Sequence, residues 1–128
     1  MITEQTLKKT YTIMVVDDDK GVIKFMSRIL ADDGYKALTF INAVEAFEYF
    51  KSNQQEIDLI VTDLVMPDID GLELIEKIRR HDQQIPVVLM SGDTAALRKI
   101  REDSLGINEI AEKPTAIFKI GEIIQNVL

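Results

Sequence analysis

Short apolar segments alternate with amphipathic segments along the chain, and this alternation limits the folds open to it. Five segments are rich in β-branched and other apolar side chains, which favours buried strands. They are Tyr11–Val16, Tyr35–Phe40, Leu59–Thr62, Pro86–Met90 and Asn108–Ala111. After each of them, apolar residues recur at the spacing of one helix face. This spacing predicts helices over 20–33, 42–52, 72–80, 94–104 and 115–128.

Strands that alternate with helices predict an α/β fold, in which a parallel sheet is covered by helices on both faces. Right-handed crossovers leave few topologies for 128 residues. The simplest is the doubly wound, flavodoxin-like (βα)5 fold with a five-stranded parallel sheet in the order 2-1-3-4-5. We predict one domain over residues 11–128, preceded by a polar lead-in over residues 1–10.

The charge balance and the lack of cysteine exclude several classes of function. With 22 acidic and 15 basic residues the net charge is −7, which argues against binding to nucleic acid. Without cysteine, disulfides and cysteine-based metal sites are excluded. The N-terminus lacks the apolar stretch of a signal peptide, and the longest apolar run, 85–90, is far shorter than the ~20 residues that span a bilayer. We expect a cytoplasmic protein without membrane or nucleic-acid partners.

Polar side chains follow four of the predicted strands, at the sheet edge where such folds bind ligands. Aspartates occupy 17–19 after the first strand, and Asp63, Ser91 and Lys113 follow the third, fourth and fifth. Clustered carboxylates raise one another's pKa unless a cation lies among them, and Mg²⁺ suits oxygen ligands. Asp63 is then a carboxylate nucleophile toward phosphorus, while Lys113 and Ser91 contact the phosphoryl oxygens.

In combination, four motifs resemble those of the response-regulator receiver domain of two-component signalling. They are VVDDD at 15–19, IVTDLVMPDIDG at 60–71, PVVLMSG at 86–92 and EKP at 112–114. The resemblance implies a role for each matching residue: Mg²⁺ ligands at Asp17, Asp18, Asp63 and the backbone carbonyl of Val65, the phosphoacceptor at Asp63, the switch hydroxyl at Ser91, and the phosphate-binding lysine at Lys113.

The resemblance also implies a signalling domain that catalyses only its own phosphorylation and dephosphorylation. The phosphodonor is expected to be a sensor histidine kinase or a histidine phosphotransfer domain. Phosphorylation is expected to switch the face of strand 4, helix 4, strand 5 and helix 5 toward an output protein or a second copy. Ile110 and Thr115 stand where the family often has aromatic residues. We therefore expect activation to depend on Ser91 rather than on rotation of a ring.

Two other functions stay open on the residues alone. A phosphatase similar to the haloacid dehalogenases would use the D-x-D formed by Asp17 and Asp19, together with Ser91 and Lys113. Against this function, the chain has no acidic pair after Lys113 to complete the metal site of such a phosphatase. The phosphatase would also leave Asp63 without a role. A receiver-like module that binds partners without being phosphorylated is the second alternative, and the complete set of acids, hydroxyl and lysine argues against it.

The helix patterns also predict which apolar side chains reach the surface. On the first helix, we expect Val22, Phe25, Met26 and Ile29 to face the core and Ile23 to be exposed for docking of the phosphodonor. On the second helix, we expect the apolar side to consist of Val44, Phe47 and Tyr49 or Phe50, and on the third we expect Leu74, Ile75 and Ile78 to face inward. On the last helix, we expect Ile117, Ile120, Ile124 and Leu128 to face the core. Phe118 is then exposed and available to an output protein or a second copy.

Overall fold

A computed structural model describes residues 10–100 and 105–128. The strands are β1 (Thr12–Val16), β2 (Lys36–Phe40), β3 (Leu59–Asp63), β4 (Val87–Ser91) and β5 (Glu109–Glu112). The helices are α1 (Lys20–Asp32), α2 (Ala43–Ser52), α3 (Gly71–Arg79), α4 (Thr94–Arg98), α5 (Thr115–Phe118) and α6 (Ile120–Val127), with a 3₁₀ turn at Gln54–Glu56. Most of the predicted lead-in, residues 1–9, and the end of the predicted fourth helix, residues 101–104, lie outside the described residues.

The strands form one sheet in the order β2-β1-β3-β4-β5, and every neighbouring pair is parallel. This confirms the flavodoxin-like order 2-1-3-4-5. The residues of β1, β3 and β4 are all buried, as the continuous apolar runs predict for central strands of a parallel sheet. Within the described part of the chain, no helix is long and apolar enough to cross a membrane.

Each central strand sends alternate side chains to opposite faces of the sheet, so the protein has two cores. On one face Met14, Ile60 and Leu89 pack beneath helices α2 and α3. On the other face Ile13, Val61 and Met90 pack beneath α1, α5 and α6. Both faces are therefore filled by helices, and the carboxyl ends of the strands remain open to carry the polar residues.

The predicted core face of α1 is wrong by part of a turn. Ile23, Met26 and Leu30 are buried, whereas Phe25 is 41% exposed. The helix has apolar residues in two overlapping stripes, and the sequence alone does not choose between them. Packing against the sheet selects the stripe of Ile23, so Ile23 is a core residue and not a docking residue. The ring of Phe25 lies instead against Phe118.

Two other helices also differ from the prediction. In α2 the small residues Ala43 and Ala46 are buried with Phe50, while Val44 is exposed, because small side chains let the helix approach the sheet closely. The predicted last helix is two helices, α5 and α6, separated at Lys119. Gly121, in the first turn of α6, has low helix propensity and weakens a continuous helix there.

The buried face of these last two helices matches the prediction only in part. Ile120 and Ile124 are buried, whereas Leu128 is 42% exposed. Phe118 is 66% exposed, as the sequence predicted. In α3, the predicted core residues Leu74, Ile75 and Ile78 are all fully buried.

Candidate functional site

The register of the sheet brings two aspartates side by side. Val16 pairs with Thr62, so the next residue of each chain segment, Asp17 and Asp63, lies at the same level of the sheet. Both side chains are buried, with residue exposures of 0% for Asp17 and 7% for Asp63. Each aspartate comes directly after buried residues of its strand, so both carboxylates lie at the carboxyl edge of the sheet.

Asp17, Asp18 and Asp63 form a cluster of oxygen donors. One carboxylate oxygen from each lies within 4.8 Å of the others. The backbone N–H of Asp19 donates to Asp17 Oδ1 at 2.9 Å, which orients that carboxylate. Asp19 itself does not join the cluster, because its side chain caps α1 by accepting from Gly21 N and Val22 N. The three neighbouring aspartates therefore divide into two candidate ligands and one helix cap.

Lys113 crosses the sheet edge and joins both buried carboxylates. Its Nζ lies 2.6 Å from Asp17 Oδ2 and 3.2 Å from Asp63 Oδ1. Burial lowers the pKa of the Lys113 ammonium, but hydrogen bonding to Asp17 and the charges of Asp17 and Asp63 outweigh burial and raise that pKa overall. Lys113 therefore stays charged at neutral pH and acts as the cation of the site in this structure.

Asp63 is an acid held in an unfavourable environment for its charge. Burial and the neighbouring charge of Asp17 raise the pKa of Asp63, and Lys113 and the Leu64 N–H offset only part of this. An additional cation beside Asp63 would relieve the repulsion. This is the electrostatic state expected of a carboxylate that can bind a metal ion.

Ser91 ends β4 and is almost fully buried, with 1% of its surface exposed. Its Oγ accepts a hydrogen bond of 3.0 Å from the backbone N–H of Asp93, and the Asp93 side chain in turn caps α4 through Ala96 N. The Ser91 carbonyl accepts from Lys113 N at 2.9 Å. Ser91 thus connects the start of α4 with the segment that carries Lys113, a link that no sequence pattern signalled.

The loop between β3 and α3 lies directly after Asp63. Its ends are joined because the Gly71 N–H donates to the Leu64 carbonyl at 2.7 Å. A side chain at Gly71 would collide with the backbone carbonyl of Asp63, so only glycine allows α3 to start so close to β3. Val65, predicted to bind metal through its carbonyl, lies in this loop with 57% of its surface exposed. Its role as a ligand stays a prediction.

Sequence reasoning missed a contact beside this loop. The sequence indicates a helix cap at Asn42 and a loop residue at Asp68, and no pattern pairs the two. In the structure, Asn42 Nδ2 donates to Asp68 Oδ2 at 2.8 Å. The two residues are 26 positions apart, and no spacing pattern relates the loops that carry them.

The donor set fits a hard divalent cation. The cluster consists of carboxylate oxygens only, and Mg²⁺ prefers such ligands while keeping several waters. The exposed Asp18 leaves the cluster open to solvent on one side. The fit of Mg²⁺ thus rests on the type and spacing of the oxygens, beside a lysine able to bind an anion.

A family model and two related proteins match most of this chain. The model of the response regulator receiver domain matches residues 13–125, which is most of the chain. The chemotaxis protein CheY of Treponema pallidum is 34% identical over 121 residues, covering 92% of this chain and 83% of that protein. A probable transcriptional regulator, ycf29 of Porphyra purpurea, is 31% identical over 121 residues. That match covers 93% of this chain and 57% of the ycf29 protein, so the chain spans little more than half of that relative.

Two solved structures have the same fold as this chain. The receiver domain protein from Clostridium thermocellum has 25% identity and a TM-score of 0.83, covering 91% of this chain and 93% of that one. The response regulator TrrA from Thermotoga maritima, solved in complex with Mg²⁺ and BeF, has 26% identity and a TM-score of 0.79. That match covers 93% of this chain and the whole of TrrA.

Proposed function

Because the chain belongs to the response-regulator receiver family, a family of signalling domains, we propose that Asp63 accepts a phosphoryl group from a phosphorylated histidine. The observation that carries this proposal is the position of Lys113, whose ammonium bridges Asp17 and Asp63 at the open edge of the sheet. A phosphoryl group on Asp63 brings anionic oxygens to an ammonium already in contact with that carboxylate. Burial and the charge of Asp17, which raise the pKa of Asp63, disfavour added negative charge, so Lys113 and a bound cation have to offset them when Asp63 is phosphorylated.

The chemistry requires no general base, since the nucleophile is a carboxylate. Asp63 attacks phosphorus, a bond forms between its oxygen and phosphorus, and the nitrogen–phosphorus bond of the donor breaks. The bonding electrons remain on the imidazole nitrogen, which takes up a proton. Lys113 binds one phosphoryl oxygen, and Ser91 binds another after its Oγ leaves the Asp93 N–H. Attack of water on the aspartyl phosphate releases phosphate and restores Asp63.

Asp17, Asp18, Asp63 and the Val65 carbonyl would hold Mg²⁺ in this proposal. When bound, Mg²⁺ supplies positive charge that neutralises phosphoryl oxygens. Two observations support the ligand set: the spacing of the three carboxylates and the Mg²⁺ and BeF bound by TrrA, which shares this fold. We expect the Asp19 N–H to keep Asp17 oriented when a metal ion binds, as it does beside Lys113 in this structure.

The partners belong to the same proposal. We place the donor, a sensor histidine kinase or a histidine phosphotransfer domain, in the cytoplasm, where ATP supplies the phosphoryl group. The response is a change on the face of β4, α4, β5 and the last two helices, read by an output protein or a second copy. Ser91 supports this because it touches both the start of α4 and the segment of Lys113. The chain catalyses only its own phosphorylation and dephosphorylation.

The geometry favours Asp63 over Asp17 as the nucleophile, which weighs against a phosphatase of the haloacid-dehalogenase type. Asp17 is fully buried, and its two carboxylate oxygens are engaged by the Asp19 N–H and by Lys113. The Asp63 side chain is 10% exposed and that of Asp17 is 0% exposed, so Asp63 is the more accessible of the two. Steady hydrolysis of a phosphate monoester that depended on Asp17 and not on Asp63 would favour the phosphatase.

The test is incubation with acetyl phosphate and Mg²⁺, followed by intact-mass measurement. The wild-type protein should gain one phosphoryl group, and Asp63→Asn should gain none. Asp32→Asn, an exposed aspartate at the end of α1, is the matched control and should label like wild type. Equal labelling of Asp63→Asn and wild type would overturn the proposal, and unchanged labelling in excess chelator would remove Mg²⁺ from it.

A further inference from the structure

We propose that Asn42 is a positioning residue for the β3–α3 loop, residues 64–70, and that it sets the affinity of the site for Mg²⁺. This inference rests on the proposed function, because it assumes that the Val65 carbonyl in this loop completes the metal ligands. Asn42 belongs to neither the cluster of carboxylates nor β3. It acts from the neighbouring loop, between β2 and α2.

The Asn42 side chain holds two elements at once. Its Oδ1 accepts from the Glu45 N–H at 3.0 Å and caps α2, while its Nδ2 donates to Asp68 Oδ2 at 2.8 Å. Because the cap already fixes the orientation of the amide, the NH₂ group meets Asp68 without further loss of side-chain freedom. The acceptor is a carboxylate, and hydrogen bonds to ionised groups are stronger than neutral ones.

The bond reaches the middle of the loop, between its two anchored ends. Leu64 fixes the start of the loop through Met90 O, and Asp70 fixes the end by capping α3. Between them, Met66 is buried but its neighbours Val65 and Pro67 are exposed. The Asn42 bond to Asp68 therefore restrains this segment from the outside.

The restraint has a consequence for metal binding. Mg²⁺ demands near-ideal octahedral geometry, so a carbonyl ligand that is not held in position lowers the affinity of the site for Mg²⁺. Partners outside the ligand set that orient ligands are often worth tenfold or more in metal affinity. A loop carbonyl held in place before the metal arrives needs less ordering when the metal binds.

The first measurement is Mg²⁺ affinity by NMR titration without any phosphodonor. Asn42→Ser retains an oxygen that can cap α2 and removes the donor to Asp68. We expect it to weaken Mg²⁺ binding by about three- to tenfold. In the absence of metal, the backbone N–H groups of Val65, Met66 and Asp68 should exchange faster with solvent than in wild type, while those of α2 should not.

A charge-neutral swap separates positioning from general electrostatics. Asn42→Asp alone places a second carboxylate against Asp68 and should weaken Mg²⁺ binding through repulsion that displaces the loop, despite its added negative charge. In the double variant Asn42→Asp/Asp68→Asn, amide and carboxylate exchange places, so the hydrogen bond can form in the reverse direction. We expect the double variant to recover most of the wild-type affinity. Asn53→Ala removes the hydrogen bond that Asn53 Nδ2 donates to the Tyr49 carbonyl at the other end of α2, so it is the control and should bind Mg²⁺ normally.

The outcomes distinguish this inference from the proposed function. If wild type binds Mg²⁺ and is phosphorylated but Asn42→Ser binds Mg²⁺ equally well, the positioning role is wrong and the phosphoacceptor role stands. If the double variant binds as weakly as Asn42→Asp alone, the hydrogen bond is not the cause. If wild type neither binds Mg²⁺ nor is phosphorylated, both proposals fall together.

Discussion

At the scale of single residues, the site is a balance of one ammonium against two buried carboxylates. Lys113 lies closer to Asp17 than to Asp63, at 2.6 Å against 3.2 Å. Lys113 therefore offsets only part of the cost of burying Asp63, and burial raises the pKa of the Asp63 carboxyl. A charged group that is poorly compensated in the folded state reduces the free energy of unfolding.

This balance gives a pH-dependent stability for Asp63→Asn. Since the pKa of Asp63 is raised by folding, the wild-type protein loses stability as pH rises from the unfolded-state pKa of about 3.9 through the higher folded-state pKa. The amide that replaces the carboxylate carries no charge, so Asp63→Asn should be more stable at pH 7, with a melting temperature raised by about 2–5 °C. The gain should vanish below the unfolded-state pKa. Thermal melts across pH would measure it, and a variant less stable than wild type at pH 7 would contradict the account of Asp63.

The convergence of the candidate site residues was predictable because each stands at or just after the carboxyl end of a predicted strand. Asp17, Asp63, Ser91 and Lys113 stand at strand ends, and parallel strands bring those ends together. The hydrogen bonds of Ser91 to Asp93 N and of Asn42 to Asp68 were not predictable. They depend on loop paths, and no periodicity in the sequence encodes where a loop passes.

At the scale of elements, Arg79 attaches the end of α3 to the segment before β5. Its guanidinium donates to the carbonyls of Leu105, Gly106 and Asp82, at 2.7, 3.0 and 3.1 Å. Burial lowers the pKa of Arg79, with the charge of Asp82 opposing this effect. Gly106 adopts a positive φ of 66° there, which favours glycine.

We expect Arg79→Met to reduce the free energy of unfolding by about 1–3 kcal/mol, because three carbonyls lose a charged donor. Arg80→Met, the adjacent and exposed arginine, should change it by less than about 0.5 kcal/mol. Urea unfolding of both variants makes the comparison. Equal effects at the two positions would show that the carbonyls of the segment are satisfied without Arg79.

The exposed rings of Phe25 and Phe118 connect α1 with α5. Their centroids lie 5.3 Å apart at an interplanar angle of 73°, an edge-to-face contact. The sequence predicted the exposure of Phe118 but placed Phe25 in the core. The choice between the two apolar stripes of α1 depended on the position of α5 and the sheet, which a single helix does not encode.

A double-mutant cycle tests whether this contact stabilises the fold. Phe25→Ala and Phe118→Ala should show a coupling energy of about 0.5–1 kcal/mol in unfolding experiments. Met26→Ala, one residue along and fully buried, should cost about 2–5 kcal/mol and show no coupling to Phe118. Additive effects of the two phenylalanine variants would mean that the contact between the rings does not stabilise the fold.

At the scale of the whole molecule, fold and strand order followed from the alternation of apolar and amphipathic segments. Helix boundaries inside that frame were less predictable, as the break at Lys119 between α5 and α6 shows. The continuous apolar spacing across 115–128 fits one helix or two. The break is set by packing and by the weak helix propensity of Gly121.

We expect the conformational change caused by phosphorylation to depend on Ser91. Beryllofluoride with Mg²⁺ should shift backbone NMR signals of Gly92 to Ile100 in wild type, because Ser91 Oγ leaves the Asp93 N–H that it binds in this structure. Ser91→Ala should shrink these shifts. Ile110→Val should leave them nearly unchanged, since Ile110 has no ring to rotate. The opposite pattern would assign the switch to β5 instead.

The most direct measurement is to locate the phosphoryl group itself. Borohydride reduction of an aspartyl phosphate converts that residue to homoserine, which peptide sequencing by tandem mass spectrometry identifies. After phosphorylation by a small phosphodonor with Mg²⁺, we expect homoserine at position 63 alone, because Asp63 combines a raised pKa, a partly exposed side chain and contact with the Lys113 ammonium. Homoserine at position 17 or 18, with Asp63 recovered intact, would contradict the assignment of the phosphoacceptor.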